Sequence, residues 1–299
     1  METVGVVLSI VAQNKWKVYQ IDVKLAFLNG VLMEEVYIEL PLGYEKKGQE
    51  HKVCRLKKDL YGLKQAPRAW YSRIDSYLLE NGFEKCEREP TFYIKEKDGK
   101  LIIVVLYVDD VIFTGNDDYL IENFKTVIKE KFEMTDMGLL RYFLGIEVEQ
   151  NGNGIFISQA KYVNEVLERF NMQESKAAIT PTVMGLKPSK EENNKDFDSS
   201  LYKSIVGSFM YLIATRPDIM HAVSLISRFM ERPKEAHWQA AKIILRHVKG
   251  TKRFGILYTT PKYSHLIGYT DSDWAGSVDD RKSTSSFFLH GFRSHFVDF

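Results

Sequence analysis

Two adjacent aspartates interrupt a strongly apolar run and limit how this chain can fold. In residues 101–113, LIIVVLYVDDVIF, Asp109 and Asp110 stand between two stretches rich in β-branched side chains. Such stretches predict neighbouring β-strands, and the acids between them predict the tip of a hairpin. Like charges repel, and burying an ionised carboxylate beside apolar strands costs several kcal/mol unless a cation compensates. The pattern therefore indicates either a metal site or a turn with solvated acids, and spacing alone leaves both open.

A third aspartate has a comparable position earlier in the chain. Asp22 lies near the end of a strand predicted over residues 16–23. A strand-end aspartate beside a hairpin-tip pair, on neighbouring strands, could hold two hard cations roughly 3.5–4 Å apart. Ligation by carboxylates alone favours Mg²⁺ over Zn²⁺. Asp22, Asp109 and Asp110 are therefore the candidate metal-binding residues.

The rest of the sequence predicts an α+β protein. Residues 174–200 are rich in charge and poor in large apolar side chains, so we expect an extended connector there. The spacing of apolar residues and the positions of Gly and Pro predict the other elements. These are strands at 16–23, 36–40, 101–107, 111–114, 142–149, 155–158 and 266–270, and helices at 68–81, 120–132, 160–170, 204–230 and 234–248, with breaks at Pro217 and Pro233.

Local clusters of positive charge are more informative than the total charge. The formal net charge is only +1. Between Lys46 and Arg73, however, nine Lys or Arg residues face two acids, and between Lys234 and Arg253 six face one. Such clusters can bind phosphates, and the alternative is an ordinary solvated surface.

The cysteines and the N-terminus indicate where the chain works. Cys54 and Cys86 are the only cysteines and show no zinc-binding spacing, which favours a reducing intracellular compartment. Apolar residues at 4, 7, 8 and 11 predict one face of an amphipathic helix, and no basic segment precedes them as in a signal peptide. No segment has the length of a membrane span. We therefore expect an intracellular, cytoplasmic protein with no membrane partner.

Four motifs, taken in order, resemble one family of polymerases. The string Tyr107-Val108-Asp109-Asp110 resembles the active-site hairpin of reverse transcriptases. The segments QIDVKLAFLNG, LKKDLYGLKQAPRAWY and LLRYFLGIEV are similar, in the same order, to copia-type retrotransposon polymerases, and the resemblance covers nearly the whole chain. It implies a right-hand fold with fingers, an antiparallel palm sheet and a thumb. The implied activity is RNA-directed DNA synthesis from deoxynucleoside triphosphates on a primed RNA or DNA template, with two Mg²⁺ ions for which Mn²⁺ can substitute.

The resemblance also implies roles for single residues. Asp22, Asp109 and Asp110 match the catalytic aspartates, with the first two bridging the metal ions and Asp110 mainly shaping the field and the turn. The backbone carbonyl of Val23 would help to ligate the metal that carries the triphosphate. Phe27 matches the aromatic gate that lies under the sugar of the incoming nucleotide and excludes a 2′-hydroxyl.

Two further segments match the contacts that the family makes with nucleic acid. Residues 61–67 resemble the loop that contacts nucleotide and template, and residues 143–146 resemble the primer grip. A lysine before the grip, Lys129 or Lys131, would protonate the departing pyrophosphate. Arg68 and Trp70 are expected only to pack the helix that follows the loop. The residues assigned in this way are Gly62, Lys64 and Gln65 for nucleotide and template, and Phe143, Leu144, Gly145 and Ile146 for the primer.

The end of the chain resembles the opening strand of the ribonuclease H domain that follows these polymerases. In GYTDSDWAG, residues 268–276, Asp271 matches the first metal ligand of that domain. The family has more sequence on both sides, so we expect a fragment of a longer polyprotein, found in a virus-like particle if the element is active. The expected division is an incomplete fingers and palm region at 1–150, thumb and connection at 151–262, and a truncated ribonuclease H-like β segment at 263–299.

Three functions compete at this point. The chain is an RNA-directed DNA polymerase, a catalytically decayed fragment that only binds nucleic acid, or a metal-dependent nuclease that uses the same acids. A nuclease needs neither Phe27 nor a primer grip, so the sequence disfavours it. The residues do not separate the first two functions, and they do not indicate the oligomeric state.

Overall fold

The chain forms two compact units in a computed structural model that describes residues 2–41, 43–44, 52–182, 189, 195–260, 266–272, 274, 279, 281–283, 285–291 and 294–298. The first unit comprises residues 16–140. The second unit combines residues 1–15 with residues 141–299.

Runs of strands and runs of helices follow one another along the chain, as expected for an α+β protein. The helices are α1 (Glu2–Asn14), α2 (Ala66–Glu80), α3 (Asp118–Lys131), α4 (Ala160–Arg169), α5 (Ser199–Leu212), α6 (Met220–Ser227) and α7 (Glu235–Gly250). The strands are β1 (Val18–Val23), β2 (Tyr37–Glu39), β3 (Val53–Arg55), β4 (Glu84–Lys85), β5 (Phe92–Lys97), β6 (Lys100–Tyr107), β7 (Asp110–Gly115), β8 (Met134–Leu139), β9 (Tyr142–Phe143), β10 (Ile146–Asn151), β11 (Gly154–Ser158), β12 (Phe254–Tyr258), β13 (Leu266–Ser272), β14 (Ser285–Gly291) and β15 (Ser294–Asp298).

The first unit is built on a six-stranded sheet in the order β4-β5-β6-β7-β1-β8. Neighbouring strands in this sheet are antiparallel. Apolar side chains on one face of the sheet, such as Ile21, Val104 and Phe113, form a core with α2 and α3. Alternation along each strand therefore sends the neighbouring residues, including Asp22 and Asp110, to the opposite face.

Helix α2 begins earlier than its sequence indicates. We expected the helix to start at Arg68, after Pro67, but it begins at Ala66 with Pro67 in its first turn. Proline is tolerated there because the first turn of a helix does not need its backbone N–H. Trp70, Ile74 and Leu78 then form the buried stripe of the helix at the expected spacing.

The second unit combines a sheet with a helical core. Its sheet has five strands in the order β15-β12-β11-β10-β9, and α1 packs beside β11 and β12. A separate apolar core joins α4, α5, α6 and α7. Strands β13 and β14 pair with each other over seven residues, Leu266–Ser272 against Ser285–Gly291.

These observations confirm a mixed helix and strand protein with antiparallel sheets. In the described parts of 174–198 the predicted connector contains no helix or named strand, and a single backbone bridge links Asp196 to Lys234. Helix α5, however, begins at Ser199, inside the predicted connector and earlier than the expected start at residue 204. Within the described ranges, no helix is both long enough and apolar enough to cross a membrane. The assignment of fingers, palm, thumb and ribonuclease H regions stays a prediction.

Candidate functional site

Asp22, Asp109 and Asp110, together called the aspartate corner below, lie close together in the first unit. Strands β6 and β7 make the expected hairpin, in which Tyr107 pairs with Asp110 across the turn formed by Val108 and Asp109. Strand β1 lies on the other side of β7, and there Asp22 pairs with Asp110. Side chains directly opposite each other on antiparallel strands have Cβ atoms only about 4.5–5.5 Å apart. The fold therefore brings together two carboxylates that are 88 positions apart in the sequence (110 − 22).

Asp109 is joined to the same corner through its backbone. The amide of Val23 donates a hydrogen bond to the carbonyl of Asp109, with an N–O distance of 2.9 Å. Val23 follows Asp22 directly, so this bond fixes the hairpin tip beside the end of β1. All three predicted catalytic aspartates consequently lie at the same end of the paired strands β1 and β7.

A glutamine next to the aspartates forms a hydrogen bond with Asp110. Gln20 lies two residues before Asp22 on β1, and its Nε2 donates to Oδ1 of Asp110 over 2.7 Å. Burial raises the pKa of the Asp110 carboxyl above its ordinary value, the hydrogen bond from Gln20 lowers it, and repulsion from Asp109 and Asp22 raises it again. The net shift is upward. Sequence reasoning missed Gln20, although its spacing of two from Asp22 places both side chains on one face of the strand.

The residues of the corner suit a hard divalent cation. The carboxylates of Asp22 and Asp109 have no hydrogen-bond or ion-pair partner among the described residues, and both are half-buried. Two uncompensated carboxylates beside a third provide the oxygen donors that Mg²⁺ prefers. Across the described part of the chain, however, no three Asp, Glu, His or Cys side chains converge closely enough to hold a metal by themselves. Oδ1 of Asp110 accepts from Gln20. All three aspartates stay candidate ligands, and Asp22 and Asp109 are the two whose carboxylates make no hydrogen bond within the described residues.

The predicted nucleotide contacts surround a short 3-10 helix, Ala26–Asn29. Phe27 belongs to this helix, and its ring lies 4.4 Å from the ring of Tyr61, centroid to centroid. A bridge between Val31 and Lys58 connects the two segments. Phe27 therefore packs against the loop that contains Gly62, as the assignment of both to one nucleotide site requires.

Gly62 itself has a backbone conformation that favours glycine. Its φ is +97°, in the left-handed region, and no atom lies within 4 Å of the position that a Cβ would take. The space above the loop is consequently open to another molecule. Gln65 is the N-cap residue of α2, and the Lys64 side chain before it is exposed.

A groove of about 780 Å³ lies beside this loop. Its walls come from the polar face of α2 and from the segment around Met33 and Glu34. Arg68 was expected only to pack the helix, but it lines the groove with an exposed side chain. Three cations, Lys64, Arg68 and Arg73, face one acid, Glu34, across the groove.

The predicted primer grip is a tight hairpin turn in the second unit. Phe143 pairs with Ile146, and both side chains are buried. Leu144 and Gly145 between them have φ values of 47° and 76°, as in the turns that join two strands through two residues. The hydroxyl of Tyr211 donates to the carbonyl of Leu144 and lies where a Cβ on residue 145 would be. The positive φ at 145 favours glycine. The contact of this turn with a primer stays a prediction.

The remaining predicted site residues lie in a helix and a strand outside the aspartate corner. Lys129 and Lys131 occupy the last turn of α3. Asp271 lies within β13, where its backbone pairs with that of Ser286.

Trp70 is a further residue that sequence reasoning undervalued. It was expected only to pack, and it is buried in the core of the first unit. Its indole Nε1 also donates to the carbonyl of Val108, in the turn between β6 and β7, over 2.6 Å. No signal in the sequence indicates this bond, because 38 positions separate the partners.

The known proteins that this chain resembles fall into one family. A profile for the family described as reverse transcriptase (RNA-dependent DNA polymerase) matches residues 1–184. The retrovirus-related Pol polyprotein from transposon TNT 1-94 of Nicotiana tabacum is 41% identical over 297 residues, which cover 96% of this chain and 22% of that protein. The corresponding polyprotein from transposon RE1 of Arabidopsis thaliana is 39% identical, over 96% of this chain and 20% of that protein. A transposon Ty5-1 protein of Saccharomyces cerevisiae is 30% identical, over 89% of this chain and 87% of that protein.

The matches show which family the chain belongs to and how much of each relative it covers. The chain spans about a fifth of the length of the TNT 1-94 and RE1 polyproteins. Their match nevertheless covers nearly all of this chain, and the family profile covers both the aspartate corner and the Phe27 segment. The chain therefore belongs to the reverse transcriptase family of copia-type retrotransposon Pol polyproteins.

Proposed function

We propose that this chain is an RNA-directed DNA polymerase that extends a primer on an RNA or DNA template by two-metal nucleotidyl transfer. One observation carries the proposal: Asp22 and Asp110 face each other on paired strands, with Asp109 bound to the same corner. Opposed like charges destabilise a sheet, so the arrangement calls for a cation. In this proposal residues 1–150 form fingers and palm, 151–262 thumb and connection, and 263–299 the start of ribonuclease H.

The chain's own residues would hold and orient the reactants. Asp22 and Asp109 would hold two Mg²⁺ ions, and the Val23 carbonyl would help to ligate them. When bound, these ions, or Mn²⁺ in their place, supply Lewis acidity at the primer 3′-hydroxyl and neutralise charge on the triphosphate and pyrophosphate. Asp110 adds negative potential and, bonded to Gln20, keeps the start of β7 in place.

Selection and alignment of the substrates fall to other residues. The Phe27 ring lies under the sugar and leaves no room for a 2′-hydroxyl, and Gly62, Lys64 and Gln65 contact the nucleotide and template. Residues 143–146 hold the primer end. Lys129 or Lys131 donates a proton to the leaving pyrophosphate. Contacts to nucleic acid are mainly with phosphates, because a copying enzyme must accept any sequence.

The test is extension of a primed RNA template by the wild-type chain and by Asp109→Asn. The amide keeps the shape of the side chain and removes a ligand charge, so we expect Mg²⁺-dependent extension to fall by at least about 10²-fold with the fold intact, by analogy with the loss of a single electrostatic group. Asp98→Asn is the matched control. Asp98 is exposed in the turn at the opposite end of β6, and its φ of 53° suits asparagine.

The possible outcomes separate the two main functions. Equal activity in wild type and Asp109→Asn would exclude the polymerase proposal. A wild type without activity would favour the decayed fragment that only binds nucleic acid. Calorimetric titration with Mg²⁺ would then show whether the aspartate corner still binds the ion.

A further inference from the structure

The turn that carries the catalytic aspartates has an unfavourable backbone conformation. Val108 has a φ of 55° and an exposed side chain. A β-branched residue rarely adopts left-handed backbone angles, and such a conformation persists only where surrounding contacts impose it. Something outside the turn must therefore hold Val108 in place.

Two hydrogen bonds from outside the turn reach its backbone. The Val23 amide donates to the carbonyl of Asp109, and the Trp70 indole Nε1 donates to the carbonyl of Val108 over 2.6 Å. The first bond continues the ladder between β1 and β7. The second comes from helix α2 and is made by a side chain, so it acts independently of the sheet.

The indole ring is itself fixed by its surroundings. Trp70 is 2% exposed. Its ring meets the ring of Phe132 edge to face, with centroids 5.3 Å apart and an interplanar angle of 88°. Tyr77, two turns along the same helix, packs on Phe132 in the same way, at 5.2 Å and 83°. A ring held on both the helix side and the Phe132 side presents its N–H in one direction only.

We infer that Trp70 is a positioning residue that sets the catalytic turn through the carbonyl of Val108. Val108 precedes Asp109 directly, so a shift of its carbonyl displaces Asp109 relative to Asp22. Displacement of a catalytic group by 1 Å can reduce a rate by about 10²-fold. The inference rests on the proposed polymerase function, and it assigns to a buried tryptophan a role that packing alone would not give it.

Trp70→Phe in the full chain tests this inference, because phenylalanine keeps an aromatic ring and removes the donor. We expect kcat for primer extension to fall by about 10–100-fold, as for a misplaced catalytic group. The KM for the nucleotide should stay within about threefold, since the residues around Phe27 and Gly62 are unchanged. Tyr77→Leu is the matched control: it removes the other ring on Phe132 and makes no contact with Val108. It should reduce thermal stability without reducing kcat.

Hydrogen exchange gives a second measurement that does not depend on activity. Exchange of the Val23 amide, which reports on the Asp109 carbonyl, should be faster in Trp70→Phe and unchanged in Tyr77→Leu. Equal exchange in both variants, or a kcat that falls equally in both, would overturn the inference. A wild type without polymerase activity would remove the proposed function, and the exchange comparison would still decide whether Trp70 holds the turn.

The wild-type protein supplies a test if Trp70→Phe does not fold. The indole N–H of Trp70 should then exchange far more slowly than that of Trp274, which is 96% exposed. Equal rates for the two indoles would mean that the bond to Val108 is not maintained, and the inference would fail.

Discussion

At the scale of single residues, the first unit contains an acid without a partner. Asp59 is completely buried, and neither of its carboxylate oxygens has a hydrogen-bond partner among the described residues. It lies against Gly30, where a Cβ would be 3.0 Å from Oδ2. Burial raises the pKa of its carboxyl, and repulsion from Glu34 adds to the rise. The folded state consequently binds a proton at Asp59 more tightly than the unfolded state does.

This raised pKa predicts a pH-dependent stability. Below the ordinary pKa of 3.8, both states are protonated and Asp59 imposes no charge penalty. As the pH rises through the raised value, the folded state must accept a buried charge and becomes less stable. Asp59→Leu should therefore stabilise the protein at pH 7, by about 1–3 kcal/mol, and the gain should shrink as the pH falls toward 4. Urea unfolding from pH 4 to 8 measures this. Asp59→Asn keeps the shape of the side chain without the charge, so its stability should also lack the pH dependence that Asp59 causes. Parallel pH profiles of stability in the wild type, Asp59→Leu and Asp59→Asn would contradict the prediction.

Phe27 carries the prediction on sugar selection. Replacing it by Val should make room for a 2′-hydroxyl and raise incorporation of ribonucleotides relative to deoxyribonucleotides. The measurement is the ratio of kcat/KM for the two nucleotide classes. Tyr77→Leu is again a suitable control, since it removes an aromatic contact of the same core away from the Phe27 segment. An unchanged ratio in Phe27→Val would mean that the ring only packs against Tyr61.

At the scale of elements, the sequence correctly predicted the helices and strands whose own residues show a clear periodic pattern. The β6–β7 hairpin was expected because its two strands are continuous apolar runs around one acidic tip, and the helices around Ile74, Phe124 and Val163 show clear helical spacing. The strands that the sequence did not predict include β8 and β12. Residues 134–139, MTDMGL, contain two flexible or charged positions, and their pairing with β1 supplies the order that the sequence lacks. Residues 254–258 likewise form a strand because β11 and β15 lie on either side.

A buried ionic cluster joins two elements of the second unit. Asp218 accepts from Nε and a terminal nitrogen of Arg216, at 2.9 and 2.7 Å, and lies 2.9 Å from Nε2 of His247. Arg216 is 1% exposed and also bonds Thr251, beyond the end of α7. Burial alone would raise the pKa of Asp218, but the hydrogen bonds from His247 and Arg216 outweigh it and lower the pKa. The cluster thus holds the 3-10 turn around Asp218 against α7.

Removing the carboxylate from this cluster should be costly. Asp218→Asn leaves Arg216 buried beside a neutral amide, and breaking a buried pair from one side costs about 3–5 kcal/mol. The pKa of Asp218 is lower in the folded state than its ordinary value of 3.8. Its contribution to the free energy of unfolding is therefore present above pH 3.8 and is lost as the pH falls through the lowered pKa. Urea unfolding followed by tryptophan fluorescence measures the loss. Asp196→Asn, at an ion pair with Lys234 in which Asp196 is exposed, should change stability little. Equal losses of stability in both variants would show that the buried cluster around Asp218 does not stabilise the protein more than this ion pair does.

At the scale of the whole molecule, the order of the sequence does not give the division into units. Residues 1–15 join residues 141–299, because α1 packs beside β11 and β12, and the chain between them forms the first unit. An amphipathic helix predicted from Val4, Val7, Leu8 and Val11 could not indicate its partners, since β11 and β12 begin 140 and 240 residues after its last residue (154 − 14 and 254 − 14). The sequence allowed Asp22 and Asp109 to lie on neighbouring strands and the resemblance supported this, whereas the strand order, with β7 beside β1, explains why they meet.

The two basic runs also differ in a way that the sequence did not show. In the second run most cations are engaged within the unit, by carboxylates, carbonyls, an amide or a ring. These contacts are Lys234 with Asp196, Lys242 over the ring of Trp238, Arg246 with the carbonyl of Lys176, Lys249 with the carbonyl of Ser175, and Lys252 with Asn164. In the first run, Lys64, Arg68 and Arg73 are exposed along one groove. Phosphate binding is therefore expected at the first run.

This difference leads to a prediction on nucleic-acid binding. Non-specific binding of a primed duplex should weaken with added salt, with a slope of log affinity against log salt between roughly −3 and −6, at about −0.9 for each phosphate contact. Arg68→Gln with Arg73→Gln should make the slope shallower by about 2, because two such contacts are lost. Arg88→Gln with Lys97→Gln removes the same charge from exposed positions elsewhere in the first unit, and it should leave the slope nearly unchanged. Fluorescence anisotropy of a labelled duplex across a salt series measures all three slopes. A flat salt dependence in the wild type, or equal changes in both double variants, would mean that the groove cations are only a solvated surface.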